Sequence, residues 1–438
     1  MINVIILAAG KGTRMKSDLP KTLHKLLGKT MLDMVCDLGL SLGKNVNVVA
    51  VISDEMEPVL VKNKNVNYVV QKDRLGTGHA VKIALDLLQK DYDTTLILYG
   101  DTPLISKEIV QAKIHKLTEC DLVAGAFEMA DISQKYGRLI VENEQIKQII
   151  EYKNASEDVR SIRLCNSGIY AVKTDILANL VNKIQKNELS QEYYLTDLIE
   201  LANKDGLVCK YIKCNEDDLL GVNSQKDLAT ATAKYQDKLR DLHIENGVKM
   251  IDPKMVYFWG DTKIEAHTTI EPFVVFGANV EIGANCTIKS HSNIEGCKAE
   301  NDVVIGPFAR IRPDTILKNG AKIGNFVEIK NSIIGNKSKA NHLSYIGDSQ
   351  IGDDTNFGAG SITCNYDGFK KHKTIIGDNT LIGANCSLIA PVNIGNNCVI
   401  GAGSVITKSV EDGNLAVTRG EQKVLESGGI KYNNKKNI

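Results

Sequence analysis

The residues equipped for chemistry fall into two groups. The first opens near the N-terminus, with Leu7-Ala8-Ala9-Gly10-Lys11-Gly12-Thr13-Arg14-Met15 and then Leu19-Pro20-Lys21. A glycine-rich turn at the end of an apolar strand lets backbone N–H groups approach an anion, and Arg14 and Lys21 supply neutralising charge. It is not a P-loop, because no Gly-Lys-Ser/Thr follows four residues after a glycine. The third glycine of a dinucleotide fingerprint would fall at Met15. Taken alone, the turn reads equally as a tight strand-to-helix connection. Asp101 follows another apolar run, Thr95–Tyr99. A carboxylate there can hold a metal ion or cap a helix. The second group lies far downstream: Asn325–Lys330, then Ala340–Tyr345, then Thr363-Cys364-Asn365-Tyr366-Asp367-Gly368. His342 is the histidine inside this cluster. A neutral imidazole oriented by a carboxylate suits an amine or hydroxyl nucleophile, and Glu328 is the expected orienter. Outside that company His342 would be an ordinary solvated residue.

Such groups need elements to hold them. Residues 1–223 alternate short apolar runs (Val4–Leu7, Val46–Ile52, Thr95–Tyr99) with helical patterns such as His79–Leu88. Strand, helix, strand in succession predicts an open parallel sheet covered on both faces, with ligands at the carboxyl ends of its strands. Over 224–246, Leu228, Ala231, Tyr235, Leu239 and Leu242 form one helical stripe that stops at Asn246-Gly247, predicting a linker helix. From 247 to 438 a period of six takes over. Ile264, Ile270, Phe276, Ile282, Ile288 and Ile294 begin a register that runs to Ile406, with the unit Ile-Gly-x-x-small-x. Hexapeptide repeats predict a parallel β-helix, one inward aliphatic per side of a triangular coil. Of 36 glycines, 13 precede residue 246 and 23 follow it, and the repeat assigns the excess to turning corners. The gap from Phe357 to Ile376 predicts one protruding loop, where function concentrates.

Composition excludes other classes. The 438 residues carry 53 basic and 53 acidic side chains, against a nucleic-acid or anionic-membrane surface. A hydrophobic share of 43% excludes global disorder, and no apolar run approaches a membrane span. Met1-Ile2-Asn3 leads straight into a strand, unlike a signal peptide. Ten cysteines without Cys-x-x-Cys spacing predict free thiols in a reducing cytoplasm.

The full N-terminal string resembles the signature of sugar-nucleotide pyrophosphorylases, which act on sugar 1-phosphates. Gln71 and Leu75-Gly76-Thr77-Gly78, Tyr99-Gly100-Asp101, Tyr136-Gly137-Arg138, Glu151, Asn166-Ser167-Gly168 and Gly221-Val222-Asn223 match its further segments in order. Downstream, Gly-Asn-Phe-Val-Glu-x-Lys, Lys-Ala-x-His-Leu-x-Tyr-x-Gly-Asp and Thr-Cys-Asn-Tyr-Asp-Gly resemble hexapeptide acetyltransferases. In this order the two halves resemble the bacterial family that joins an N-acetylglucosamine-1-phosphate uridylyltransferase to a glucosamine-1-phosphate N-acetyltransferase. The resemblance implies a Rossmann-like nucleotidyltransferase domain, a connecting helix and a left-handed parallel β-helix. It implies that Leu7, Ala8, Ala9, Gly10, Lys21, Gln71, Gly76, Thr77, Tyr99, Gly100, Gly137, Glu151 and Asn166 hold UTP and the sugar, with Arg14 and Lys21 catalytic and Mg²⁺ on Asp101 and Asn223. It implies that Arg312 and Lys330 hold the phosphate of glucosamine 1-phosphate, that Tyr345 and Asn356 contact its sugar, and that His342 is the base. Acetyl-CoA would meet Ala359, Asn365, Tyr366, Ala384, Ala402 and Arg419, in a homotrimer whose acetyltransfer site lies between chains. Three departures stand out: Ala384 where serine is common, Ser53-Asp54-Glu55-Met56 with no assigned role, and a short tail after Arg419. A nucleotidylyltransferase whose β-helix only oligomerises, and a non-enzymatic scaffold, are the competing readings. The polar cluster around His342 and the intact glycine-rich turn, Lys21 and Asp101 argue against them.

Overall fold

The computed structural model describes residues 1–129, 135–188 and 190–434. The chain forms two compact units, residues 1–235 and 236–438. Among the described residues no helix is long and apolar enough to cross a membrane.

The first unit is built on one large sheet. Ile2–Leu7 lies between Val46–Ile52 and Thr94–Tyr99, all parallel, with Asn67–Val70 at the edge. These strands are buried on both faces, which is why they read as unbroken apolar runs. The sheet is not wholly parallel, contrary to the sequence expectation. Leu164–Lys173 pairs antiparallel with both Thr94–Tyr99 and Leu122–Glu128. The chain reaches it through the hairpin Arg138–Glu142 and Gln145–Ile150 and the short helix Glu157–Ser161, and returns in the opposite direction. The reversal matters for the site. It puts the beginning of Leu164–Lys173, with Asn166, at the sheet edge where Leu7 and Tyr99 end.

The helix Gln225–Glu245 spends its first half in this unit, where Ala231 is fully buried with Met15, Leu26 and Met31. Its second half departs from the expected stripe: Leu242 is exposed, while Gln236, Arg240 and His243 are buried. Gln236 exchanges two hydrogen bonds with the Phe258 backbone, and Arg240 donates to the Val256 carbonyl at 2.9 and 3.0 Å. Val256–Tyr257 begins a β-helix face, so its open edge would otherwise lack partners. Polar side chains cap it.

The second unit is a left-handed parallel β-helix with three faces. The first carries ten strands from Lys249–Met250 to Leu415–Ala416, the second nine from Val256–Tyr257 to Val405–Ile406, the third eight from Lys263–Ile264 to Val392–Ile394. Every third strand in sequence shares a face. The inward column is buried throughout, from Ile264 to Ile406. Thr363 continues it where no aliphatic was visible, satisfying its hydroxyl on the Gly347 backbone, so the protruding loop shrinks to residues 365–373.

The repeat's glycines do not chiefly turn the corners. Left-handed backbone there falls mostly on Asn, Asp, His and even Phe, as at Asn285 (φ 59°), Asp302 (φ 61°) and Phe308 (φ 55°); Gly296, Gly306, Gly320, Gly360, Gly403 and Gly413 are exceptions. The glycines that follow the inward aliphatics make room instead. At Gly283, Gly335, Gly352, Gly377 and Gly395 a Cβ would fall 2.2–2.6 Å from an Asn or Asp side-chain oxygen of the next coil. Those oxygens accept backbone N–H groups, as Asp378 Oδ1 does from Asp353 at 2.7 Å and Asn396 Oδ1 from Asp378 at 2.8 Å. The result is a ladder of Asn and Asp up one corner, for which glycine is the only side chain small enough.

Two candidate active sites

The nucleotide-side residues converge at the carboxyl end of the first unit's sheet, around a cavity of about 1050 Å³. Leu7, Ala9, Gly10, Gln71, Gly76, Thr77, Tyr99 and Glu151 line it. Ala8 is buried beneath, and Gly100 donates to the Leu7 carbonyl at 2.9 Å; a Cβ on Gly100 would lie 3.1 Å from that of Ala8. Gly12 is held at φ 62°, where a Cβ would meet Lys21 Cβ at 2.5 Å, so glycine is needed for Lys21 to pass. Gly76, at φ 102°, sits as tightly against the Tyr193 carbonyl. Gln71 is buried and donates from Nε2 to the Gly76 carbonyl at 3.1 Å. Asn166 is fixed by its own N–H to the Gly137 carbonyl and by Nδ2 to Tyr170 Oη at 2.8 Å. Burial pushes the Glu151 carboxyl above the usual range, against the Thr196 hydroxyl and the Lys153 charge, which favour the ionised form.

The charged centre of this site is Lys21. Its ammonium lies against the Asp101 carboxylate and 2.9 Å from Asn223 Oδ1, with little solvent on either charge. Val222 donates to the Asp101 carbonyl at 2.8 Å and Asp227 accepts from Asn223 N at 3.0 Å, which fixes both oxygens. A carboxylate and an amide oxygen gathered around one cation are hard donors of the kind Mg²⁺ accepts. Among the described residues no group of three or more His, Cys, Asp or Glu could hold a metal. A metal here would therefore complete its shell with water and phosphate. Arg14 is exposed on the turn between Gly12 and Lys21.

The β-helix site is assembled by register. His342 Nδ1 lies 2.7 Å from Asn325 Oδ1, its Cα partner in the neighbouring coil. An amide oxygen only accepts, so Nδ1 carries a proton, and in the neutral ring that leaves the lone pair on Nε2. Glu328 is therefore not the orienter. The coil is 17 residues here, and a residue 14 back lands on the second face, where Glu328 pairs with Tyr345 and accepts from Arg312 Nη1 at 2.7 Å. Ala359, Ala384 and Ala402 continue the His342 column, each two residues past a paired aliphatic or Phe357. Arg419 lies beside Gly401. Asn365 is buried at the loop base and donates to Asp348, while Tyr366 is exposed. Asn356 shares the first face with His342, exposed on the next strand between Lys339 and Leu381, while Glu328 and Tyr345 lie on the second.

Sequence reasoning missed several residues. Asn325 was legible only once the coil length was known. Lys371, on the loop, stands beside Lys330 and pulls it below the usual lysine range; burial adds to that. Two ammonium groups together, with Arg312 near, mark an anion site. In the first unit Arg74 lines the cavity, held by Glu55 at 2.8 Å and Asp54 at 3.6 Å, so the segment left without a role forms part of the wall. No spacing announces a pair from separate loops.

Comparison with known proteins agrees in both halves. Residues 4–149 match the MobA-like NTP transferase domain, residues 261–296 the bacterial transferase hexapeptide (six repeats), and residues 373–408 the hexapeptide repeat of succinyl-transferase. The protein described as "Bifunctional protein GlmU" in Paramagnetospirillum magneticum is 45% identical over 98% of this chain and 96% of its own. Those of Sphingopyxis alaskensis and Roseobacter denitrificans are 43% and 44% identical, over 97% and 98% of this chain and 94% and 95% of theirs. At such identity along nearly the whole length, with both kinds of domain in order, the chain belongs to the bifunctional GlmU family.

Proposed function

We infer that this bifunctional enzyme makes UDP-N-acetylglucosamine, acetylating glucosamine 1-phosphate on the β-helix and then transferring a uridylyl group from UTP in the first unit. The observation that carries the first-unit reading is the Lys21 ammonium seated between Asp101 and Asn223. Attack of a sugar phosphate on a nucleotide α-phosphate joins two anions, so catalysis is positioning and charge neutralisation. Mg²⁺, when bound, would supply Lewis-acid charge on the phosphates. Asp101 and Asn223 would hold it, Lys21 and Arg14 meet the phosphates, and Gly10 offers its backbone N–H. Gln71, Gly76 and Thr77 shape the base end, while Glu151, Asn166 and Gly137 take the sugar.

On the β-helix, Arg312, Lys330 and Lys371 bind the sugar phosphate and Tyr345 the ring. The amine nitrogen attacks the thioester carbonyl, His342 Nε2 takes its proton, and coenzyme A leaves as the thiolate. The Ala359 N–H faces the oxyanion. His342 stands at the corner where the first face passes into the second. That corner carries Phe273, His291, Phe308 and Phe326 stacked at 4.7–5.1 Å, with exposed Leu343 above them beside His342. All five adopt left-handed backbone, at about 1–2 kcal/mol each. Exposed, strained rings in a row favour a homotrimer packed along this edge. A cytoplasmic setting supplies both co-substrates. The test is UDP-sugar formation from glucosamine 1-phosphate, acetyl-CoA, UTP and Mg²⁺. Coenzyme A release without UDP-sugar, or neither product, would sink the two-step reading.

A further inference from the structure

The loop 365–373 is built more tightly than a surface excursion requires. Asp367 is its hub. One carboxylate oxygen accepts from Lys370 N at 2.6 Å and Phe369 N at 2.8 Å, and the other from His372 Nε2 at 2.7 Å. The Lys370 N–H, then His372, then the Phe369 N–H hold the Asp367 carboxyl down at about 2. The loop base is closed by His372 N donating to the Asn365 carbonyl at 2.8 Å and by an antiparallel bridge between Tyr366 and Lys371. Asn365 in turn donates to Asp348, which also accepts from Asn331 at 2.5 Å. The loop thus turns back on a fixed path, and that path delivers Lys371 beside Lys330. Two like charges repel unless something holds them together: the Asp348 carboxylate faces both ammonium groups, and the backbone of Lys371 is held by its bridge to Tyr366 and by the clasp between its neighbour His372 and Asp367.

We propose that His372 is a positioning residue for acetyl transfer: by clasping Asp367 it holds Lys371 beside Lys330, whose other cationic neighbour is Arg312, so the sugar's phosphate meets three cations rather than two. The proposal rests on this face being the acetyltransfer site. His372 touches neither substrate; it acts through Lys371. Either protonation state of its ring can donate from Nε2 to the carboxylate.

The experiment is steady-state coenzyme A release by the full-length enzyme, with glucosamine 1-phosphate and, separately, with glucosamine, which has the amine but no phosphate. His372→Ala is expected to raise KM for glucosamine 1-phosphate about tenfold, the loss of one charge-assisted phosphate contact, with kcat within about twofold. The rate with glucosamine should not change. His372→Gln keeps an N–H donor of similar reach and should restore most of the KM. Lys371→Ala should raise the same KM. An unchanged KM in His372→Ala, an equal loss with both amines, or no effect of Lys371→Ala overturns the proposal alone. A parent enzyme that releases no coenzyme A overturns the acetyltransfer reading and the proposal with it.

Discussion

Lys21 reaches Asp101 across 80 residues and Asn223 across 202, while His342 reaches Asn325 across 17. The first site is a convergence. Three separate loops arrive at one sheet edge, and each is fixed by its own backbone constraint: Gly12 in left-handed conformation, Val222 bonded to the Asp101 carbonyl, Gly100 bonded to Leu7. The second is a register. Once the coil length is set, Asn325, His342, Ala359, Ala384 and Ala402 fall into one column without further instruction. A convergent site breaks one residue at a time. A registered site breaks at the polar pairs written onto the column, or when a coil shifts.

The widest test separates the two. Asp101→Ala should lower uridylyl transfer by about 10³-fold or more, since it removes the partner of Lys21 and the carboxylate proposed to hold the metal. His342→Ala should lower acetyl transfer by about 10²- to 10⁴-fold, the range for losing a general base. Each should leave the other activity within about twofold. Pyrophosphate release and coenzyme A release report them independently. If either variant, still folded, loses both activities, the sites are not the separate machines described.

A finer test asks whether register or proximity orients His342. Asn325→Ala removes the acceptor that fixes the Nδ1 proton, and kcat for acetyl transfer should fall about 10- to 100-fold, as for other lost supporting groups. Glu328→Gln weakens the grip on Arg312 and should act mainly on KM for glucosamine 1-phosphate. The reverse pattern would restore Glu328 as the orienter.

The same contrast explains what could be read in advance. The β-helix was legible because its period repeats over some twenty units and because each inward position admits few residue types. Thr363 escaped notice because a hydroxyl can replace an aliphatic where a backbone turn satisfies it. Glu328 was misplaced because a nominal coil hides slips of a residue or more. The first unit's buried strands were legible from their apolar runs, but the reversal of Leu164–Lys173 depends on the preceding hairpin, which has no marked periodicity. Its site residues were reached through motif resemblance, not through spacing. Arg74 and Glu55 show the limit: they meet from separate strand ends, and nothing in either segment encodes the other.

Glycines sharpen the contrast energetically. Gly377→Ala would drive a Cβ to 2.6 Å from Asn396 Oδ1 and 2.7 Å from the next coil's backbone, neither of which can yield alone. Overpacking of this kind costs about 1–3 kcal/mol. The β-helix should melt several degrees lower, at about 2–4 °C per kcal/mol for a unit of this size, with uridylyl transfer intact at low temperature. Gly12→Ala should do the opposite: weaken uridylyl transfer through Lys21 and leave the β-helix transition where it was. Equal melting shifts in the two variants would mean that the repeat's glycines are ordinary turn residues.

The smallest effect concerns how each site tunes its carboxylates. On the β-helix, Asp367 is exposed and held low by hydrogen bonds, whereas Glu151 and Asp197 in the first unit are pushed up by burial, Asp197 to about 6. A raised acid binds its proton more tightly in the folded state than in the unfolded one. Its contribution to stability is therefore fully present below the unfolded value, near 4, and is lost as pH rises through the folded value. For Asp197 that window runs from about 4 to about 6; for Glu151 it also opens near 4 and extends upward. Glu151→Gln keeps the shape and removes the charge that burial penalises. The variant should melt higher than the parent at pH 7, with the difference closing toward pH 4, followed on the transition that UTP shifts upward. Its KM for the sugar phosphate in uridylyl transfer should rise, because a neutral amide accepts a hydroxyl proton more weakly than a carboxylate. A variant less stable at pH 7, or a difference that widens toward pH 4, would mean that Glu151 is held by charge, as the β-helix carboxylates are, and the two sites would then tune their acids in the same way.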